Sequence, residues 1–329
     1  MVCFNLRMPN GNCRRAGRGC RARGGSWRNP ALALVLSLAG VLSAWGRLEV
    51  VATTPDLGAI AREIGRDRIE VTTLAKPTED AHFVEPKPSF VRKLNQADLL
   101  IEGGAELEIG WLPPLLQQAR NAKLAAGGPG HVRACDGVGL LEVPTSLDRS
   151  AGDIHALGNP HFLTDPANAL VVATNLAAAF GRADPVGKAE YEANLARFSA
   201  DLSSRLVTWE KRMEPFRGRH VVAYHNSWPY FARRFGLQID LFLEPKPGVG
   251  PSPGHLAATI LKMREVGARV IIVDPYLNRR TADTVASKTG STVVEVAQFP
   301  GGLPGIDPGY TALIDELVTR IATALAQHP

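Results

Sequence analysis

Pro185-Val-Gly-Lys-Ala-Glu-Tyr191-Glu-Ala-Asn-Leu195-Ala-Arg-Phe198-Ser-Ala-Asp-Leu202-Ser-Ser-Arg-Leu206-Val-Thr-Trp209-Glu-Lys-Arg-Met213-Glu-Pro215 carries an apolar residue at every third or fourth position. Tyr191, Leu195, Phe198, Leu202, Leu206, Trp209 and Met213 therefore share one face of a helix. About 30 residues at 1.5 Å each make a helix of roughly 45 Å. That length predicts a helix running across two lobes.

On its N-terminal side, short β-branched runs alternate with helical spacing. Leu48–Thr53, Ile69–Leu74 and Ala97–Ile101 read as strands. Leu57 to Ile64 (closed by Gly65), a segment capped by Ser89, Trp111 to Ala122 and Ala169 to Phe180 read as helices. The Gly-rich stretch 125–152 shows no clear period. Beyond the long helix the rhythm resumes. His220–Tyr224, Ile239–Leu243, Arg269–Val273 and Thr292–Val296 are strands, and helices are expected near Tyr230, from Pro253 with Ser252 as cap, from Arg280, and from Tyr310 to Ala326. Strands and helices alternating at this pitch indicate an α/β protein with mostly parallel sheets. The expected division is a lobe over 47–184, a linking helix over 185–216 and a second lobe over 217–329.

Length agrees, since 329 residues suffice for two ordinary domains. The net charge of +5 is misleading. Seven arginines and no acid lie within residues 1–46, and removing them leaves −2 on the remainder. No basic stripe survives in the body of the chain, which argues against a nucleic-acid partner. The arginines lead into Ala31-Leu-Ala-Leu-Val-Leu-Ser-Leu-Ala-Gly-Val-Leu-Ser-Ala44, about 14 residues and short for a membrane span. Residues 1–46 are therefore expected to be a signal peptide, an uncleaved anchor being the alternative. Cys3, Cys13 and Cys20 would leave with it, so Cys135 has no partner for an intramolecular disulfide.

The histidines are the candidate chemistry. His155 and His161 lie in the loop Asp153-Ile-His-Ala-Leu-Gly-Asn-Pro-His-Phe-Leu-Thr-Asp-Pro-Ala-Asn168. His82 lies in the loop Lys76–Pro88, and His225 directly follows a strand. Ligands in βα folds collect at the carboxyl ends of strands, where neutral imidazoles can bind a metal. Compact zinc signatures such as HExxH or paired CxxC do not occur. Spacing alone leaves open whether these histidines converge or merely cap turns.

Three motifs add what spacing lacks. Asp80-Ala-His82-Phe-Val-Glu85-Pro-Lys-Pro-Ser89, Gly158-Asn-Pro-His161-Phe-Leu-Thr-Asp165-Pro166 and Ala223-Tyr-His225-Asn-Ser-Trp-Pro-Tyr-Phe-Ala-Arg-Arg-Phe-Gly236 occur in that order. They resemble the DPHxxEPxPS, NPHxWLDP and FHxxxxYFxxxFGL motifs of the cluster A-I family, the periplasmic solute-binding proteins of zinc and manganese ABC importers. The resemblance runs from Leu48 to about Gly302. It implies His82, His161 and His225 as metal ligands. Histidine at the third position favours Zn²⁺ over Mn²⁺, which prefers harder oxygen donors.

The same resemblance implies a fourth ligand, an Asp after the last strand, where this chain has Gln298-Phe-Pro-Gly-Gly302. Asp307 is the candidate replacement, with Glu79, Asp80 or water as alternatives. His155 is expected to serve loop structure, a spare metal ligand or a partner to a ligand being the alternatives. The function implied is capture of a divalent transition metal by a periplasmic monomer, without enzymatic activity. Its partners would be an inner-membrane permease and a cytoplasmic ATPase. A zinc hydrolase and a metal-binding surface adhesin are the competing functions.

Overall fold

Val50, Val51 and Ala52 are all buried, as in a strand covered on both faces. They belong to β1 (Leu48–Ala52), which pairs in parallel with β2 (Ile69–Thr73) and β3 (Leu99–Glu102). Strand β4 (His131–Arg133) extends the sheet beyond β3, giving the order β2-β1-β3-β4. A second parallel sheet repeats that order as β6-β5-β7-β8, from β5 (His220–Ala223), β6 (Gln238–Phe242), β7 (Val270–Val273) and β8 (Thr292–Glu295). The computed structural model describes residues 46–145 and 155–328. The expected signal segment, apart from Gly46, lies outside the described residues, as do Cys3, Cys13 and Cys20.

The helices in chain order are α1 (Pro55–Gly65), α2 (Pro88–Gln96), α3 (Leu112–Ala119), α4 (Asn168–Ala183) and α5 (Lys188–Met213). They continue with α6 (Pro229–Phe235), α7 (Pro253–Val266), α8 (Arg279–Thr289) and α9 (Tyr310–Ala326). The long helix α5 has 26 residues and is about 39 Å long. Its stripe packs as the periodicity requires: Tyr191, Phe198, Leu202, Trp209 and Met213 are buried, and Leu195 and Leu206 partly so. It packs against α1 and α4, which flank the first sheet, and against α6 and α9, which belong to the second. One apolar core runs through these contacts, from Val50 and Ile60 to Val221 and Ile321.

Two local expectations need correction. Lys87, not Ser89, is the cap residue of α2, because Pro88 takes the first helical position where its missing N–H costs nothing. The Gly-rich stretch contains β4, whose three residues bury only Val132, too short a run to show a period. Ser252 does cap α7, its Oγ accepting the His255 N–H at 3.2 Å. Cys135 is buried and free. Among the described residues no helix is long and apolar enough to cross a membrane.

Candidate metal centre

In both sheets the first strand has later strands on either side, so a crevice opens above its carboxyl end. His225 stands two residues past β5, where Ser227 N–H donates to its carbonyl at 2.9 Å. His82 comes from the loop between β2 and α2. Asp80 Oδ1 accepts both the backbone N–H of His82 (2.9 Å) and its Nδ1–H (2.8 Å), fixing chain and ring together. Trp111 Nε1 donates to the Ala81 carbonyl at 2.9 Å and holds the turn from below.

His161 follows Asn159-Pro160. Asn159 Oδ1 accepts the His161 N–H at 3.0 Å, and Asn159 Nδ2 donates to the Asn226 carbonyl at 2.9 Å, beside His225. Tyr230 Oη donates to the Asn159 carbonyl at 2.6 Å, and Tyr310 Oη to the Leu163 carbonyl at 2.8 Å. Asp165, 1% exposed, caps the next turn through the Ala167 N–H and takes a two-pronged ion pair from Arg234 at 2.7 and 3.0 Å. The His161 loop is thus tied to α6 through Tyr230 and Arg234 and to α9 through Tyr310.

These ties bring His82, His161 and His225 together, with one nitrogen of each within 4.8 Å of the others. Ring centroids are 5.1 Å apart for His82–His161, 5.6 Å for His82–His225 and 5.5 Å for His161–His225. Two of the rings are oriented by carboxylates: Asp80 on His82 Nδ1, and Glu244 on His225 Nδ1 at 2.7 Å. Both therefore present Nε2 to the centre. Gln298 serves His161 in the same way, and its Nε2 lies within hydrogen-bond distance of Ser227 Oγ (2.9 Å), Asp274 Oδ1 (3.2 Å) and Tyr276 Oη (2.6 Å), among which its two N–H groups are shared. Outer partners of this kind fix tautomer and ring direction in metal sites.

Burial holds His161 well below the ordinary histidine range, reinforced by His82 and His225, so it is neutral and able to donate a lone pair. His155 is pushed down to about 4, first by burial and then by the same neighbours. Burial also pulls on His225, but Glu244 overrides it and the net shift is upward. Burial raises Asp274 to about 7, and its Oδ2 has no hydrogen-bond partner.

Asp307 does not join the cluster. It is exposed, and its Oδ1 accepts the Gly309 N–H at 2.7 Å just before α9. Glu79 Oε2 is taken by the Lys76 N–H. Sequence reasoning assigned His155 to loop structure, yet its Nε2 lies 3.1 Å from His82 Nε2. Among the remaining histidines, His131 lies beside Glu102, His220 beside Asp240, His255 reaches the Phe242 carbonyl and His328 reaches Thr292. A cavity of about 210 Å³ opens onto Asp80, His82, His225 and Glu244. Another cavity, of about 720 Å³, is lined largely by α3 and β4 and is mostly apolar, unsuited to a hydrated ion.

Known proteins resemble this chain in sequence and in fold. The pneumococcal lipoprotein PsaA, a manganese ABC transporter substrate-binding protein of Streptococcus pneumoniae serotype 4, is 24% identical over 248 residues, covering 74% of this chain and 77% of PsaA. MtsA of Streptococcus pyogenes serotype M1, an iron ABC transporter substrate-binding lipoprotein, is 23% identical over 290 residues, 85% of this chain and 90% of its own. The crystal structure of ZnuA superposes with a TM-score of 0.69 at 23% identity, over 85% of this chain and 99% of that one. A Mn-bound periplasmic metal-binding protein of Candidatus Liberibacter asiaticus gives 0.70 at 24%, over 85% and 100%. At these identities the superpositions establish the fold. Residues 50–324 match the family described as zinc-uptake complex component A, periplasmic, and the chain belongs to that family of extracytoplasmic, non-enzymatic metal-binding components of ABC importers.

Proposed function

We propose that this protein captures Zn²⁺ through His82, His161 and His225 and delivers it to an ABC permease powered by a cytoplasmic ATPase. The observation that carries the proposal is the set of three imidazole nitrogens within 4.8 Å of one another. Zinc–nitrogen bonds of about 2.0–2.1 Å in a tetrahedron place donors roughly 3.3 Å apart, which small side-chain adjustments reach. The donor set supports zinc over manganese. Imidazole suits a borderline-soft d¹⁰ ion, whereas Mn²⁺ would want carboxylates that here face away, toward Nδ1 of His82 and His225. Asp307 is not part of this proposal.

Residues 47–184 and 217–329 act as two lobes flanking the ion, with 185–216 as a strut that limits closure to small tilts. The test is metal analysis of protein purified without added metal, then competitive titration with Zn²⁺ and Mn²⁺. One zinc per chain, lost in His161→Ala, is the expected result. Manganese at equal or greater occupancy defeats the assignment.

A further inference from the structure

We propose that His155 is a fourth protein donor to the bound ion, so that the site closes with four imidazoles; this rests on the metal-binding function proposed above. The 3.1 Å between His155 Nε2 and His82 Nε2 is within a few tenths of an ångström of the edge of a tetrahedron of nitrogens around zinc, about 3.3 Å. The ring centroids of this pair are 5.1 Å apart, the same as for His82–His161. Because Asp80 engages His82 Nδ1, the nitrogen that meets His155 is the one His82 directs at the ion.

The other side of His155 is also prepared. The Glu106 backbone carbonyl accepts from the ring, as Asp80 and Glu244 do for their histidines. Glu106 Oε2 accepts the Ala156 N–H at 2.5 Å, and the Gly158 N–H closes the turn onto the His155 carbonyl at 3.1 Å. A single residue therefore anchors both the backbone and the ring of the His155 turn. The acids named as candidates from the sequence are engaged elsewhere: Asp307 and Glu79 bond backbone N–H groups, and Asp80 is held by His82. His155 lies outside the mutual 4.8 Å of the other three. On binding it exchanges its contact with His82 for one with the ion.

Long-range ¹H–¹⁵N spectra of the full chain, recorded before and after one equivalent of Zn²⁺, count the imidazoles that bind. Four metal-shifted side chains are expected: His82, His155, His161 and His225. His155→Ala is expected to keep one zinc per chain, to weaken it by more than the roughly 100-fold upper range for loss of an outer partner, and to change the visible spectrum of the Co²⁺-loaded protein. Three shifted imidazoles with His155 unmoved, together with an unchanged cobalt spectrum, would overturn the fourth donor and leave the zinc function standing. Failure of the wild-type chain to take up zinc would remove both.

Discussion

The two sheets have the same strand order, yet they prepare the metal centre differently. In the second, His225 sits two residues beyond β5, a strand paired on both sides by β6 and β7. In the first, the corresponding strand β1 is followed by Thr53 and Thr54, which bond Glu108 and Asp56 rather than face an ion. The first half supplies its histidines from long loops after β2 and β4, and borrows rigidity from α6 and α9 across the centre. Buried carboxylates mark the corresponding strands β3 and β7. Glu108 is fully engaged, accepting from Thr53 Oγ (2.6 Å) and from the N–H groups of Gly103 (2.7 Å) and Gly104 (3.3 Å). Asp274 keeps one oxygen without a partner. The same topology thus serves as a fixed wall on one side and as a set of tethered loops on the other.

The sharpest way to break this contrast is at the tethered donor. His161→Ala is expected to abolish stoichiometric zinc binding, measured by metal analysis after dialysis, because one of the three converging imidazoles is lost. Retained zinc at full occupancy would mean that the loop histidine is dispensable. Next in size is the tether itself. Arg234→Ala strips buried Asp165 of its two-pronged partner and leaves it only Arg233, at 3.9 Å, a change of about 3 kcal/mol in unfolding free energy by denaturant titration. A loss under about 1 kcal/mol would show that the loop is held without this pair.

Much of this was legible in the chain. The α5 stripe was, because its 3.6-residue period is long enough to be unambiguous, and the three motifs marked the histidines that the structure brings together. What escaped detection depends on direction rather than on residue type. Asp307 looked like a spare carboxylate, and no pattern reveals that a backbone N–H two residues on consumes it. His155 and His82 are 73 positions apart, and their meeting depends on a Glu106 contact that leaves no periodicity. β4 is too short to declare itself.

The buried carboxylate of the first sheet gives a pH-dependent comparison. Burial raises Glu108 from 4.5 to about 7. An acid that holds its proton more tightly when folded stabilises fully below its unfolded value and loses that contribution as pH rises through the folded one. Wild-type stability should therefore fall by about 3 kcal/mol from this group between pH 4.5 and 7.5. Glu108→Gln should lack this component, so urea titrations of the two proteins should diverge across that window in favour of the variant. Parallel curves would show that Glu108 is ionised in the fold at both ends.

The smallest expected effect separates the two orienting carboxylates. Glu244, whose side chain is 13% exposed, sits on the fixed wall, and Asp80, 31% exposed, sits on a loop. Solvent screens the Asp80 charge more, and Asp80 also spends Oδ1 on the His82 N–H. Glu244→Gln and Asp80→Asn both keep an oxygen that can accept from Nδ1, so each removes charge while leaving the ring's bond possible. Outer-partner losses begin at about 10-fold in metal affinity. That value is expected for Glu244→Gln, with a smaller loss for Asp80→Asn, both read by competition against a zinc chelator. If Asp80→Asn costs as much or more, the loop side is as rigidly organised as the strand end, and the division between fixed wall and tethered loops fails at the ion itself.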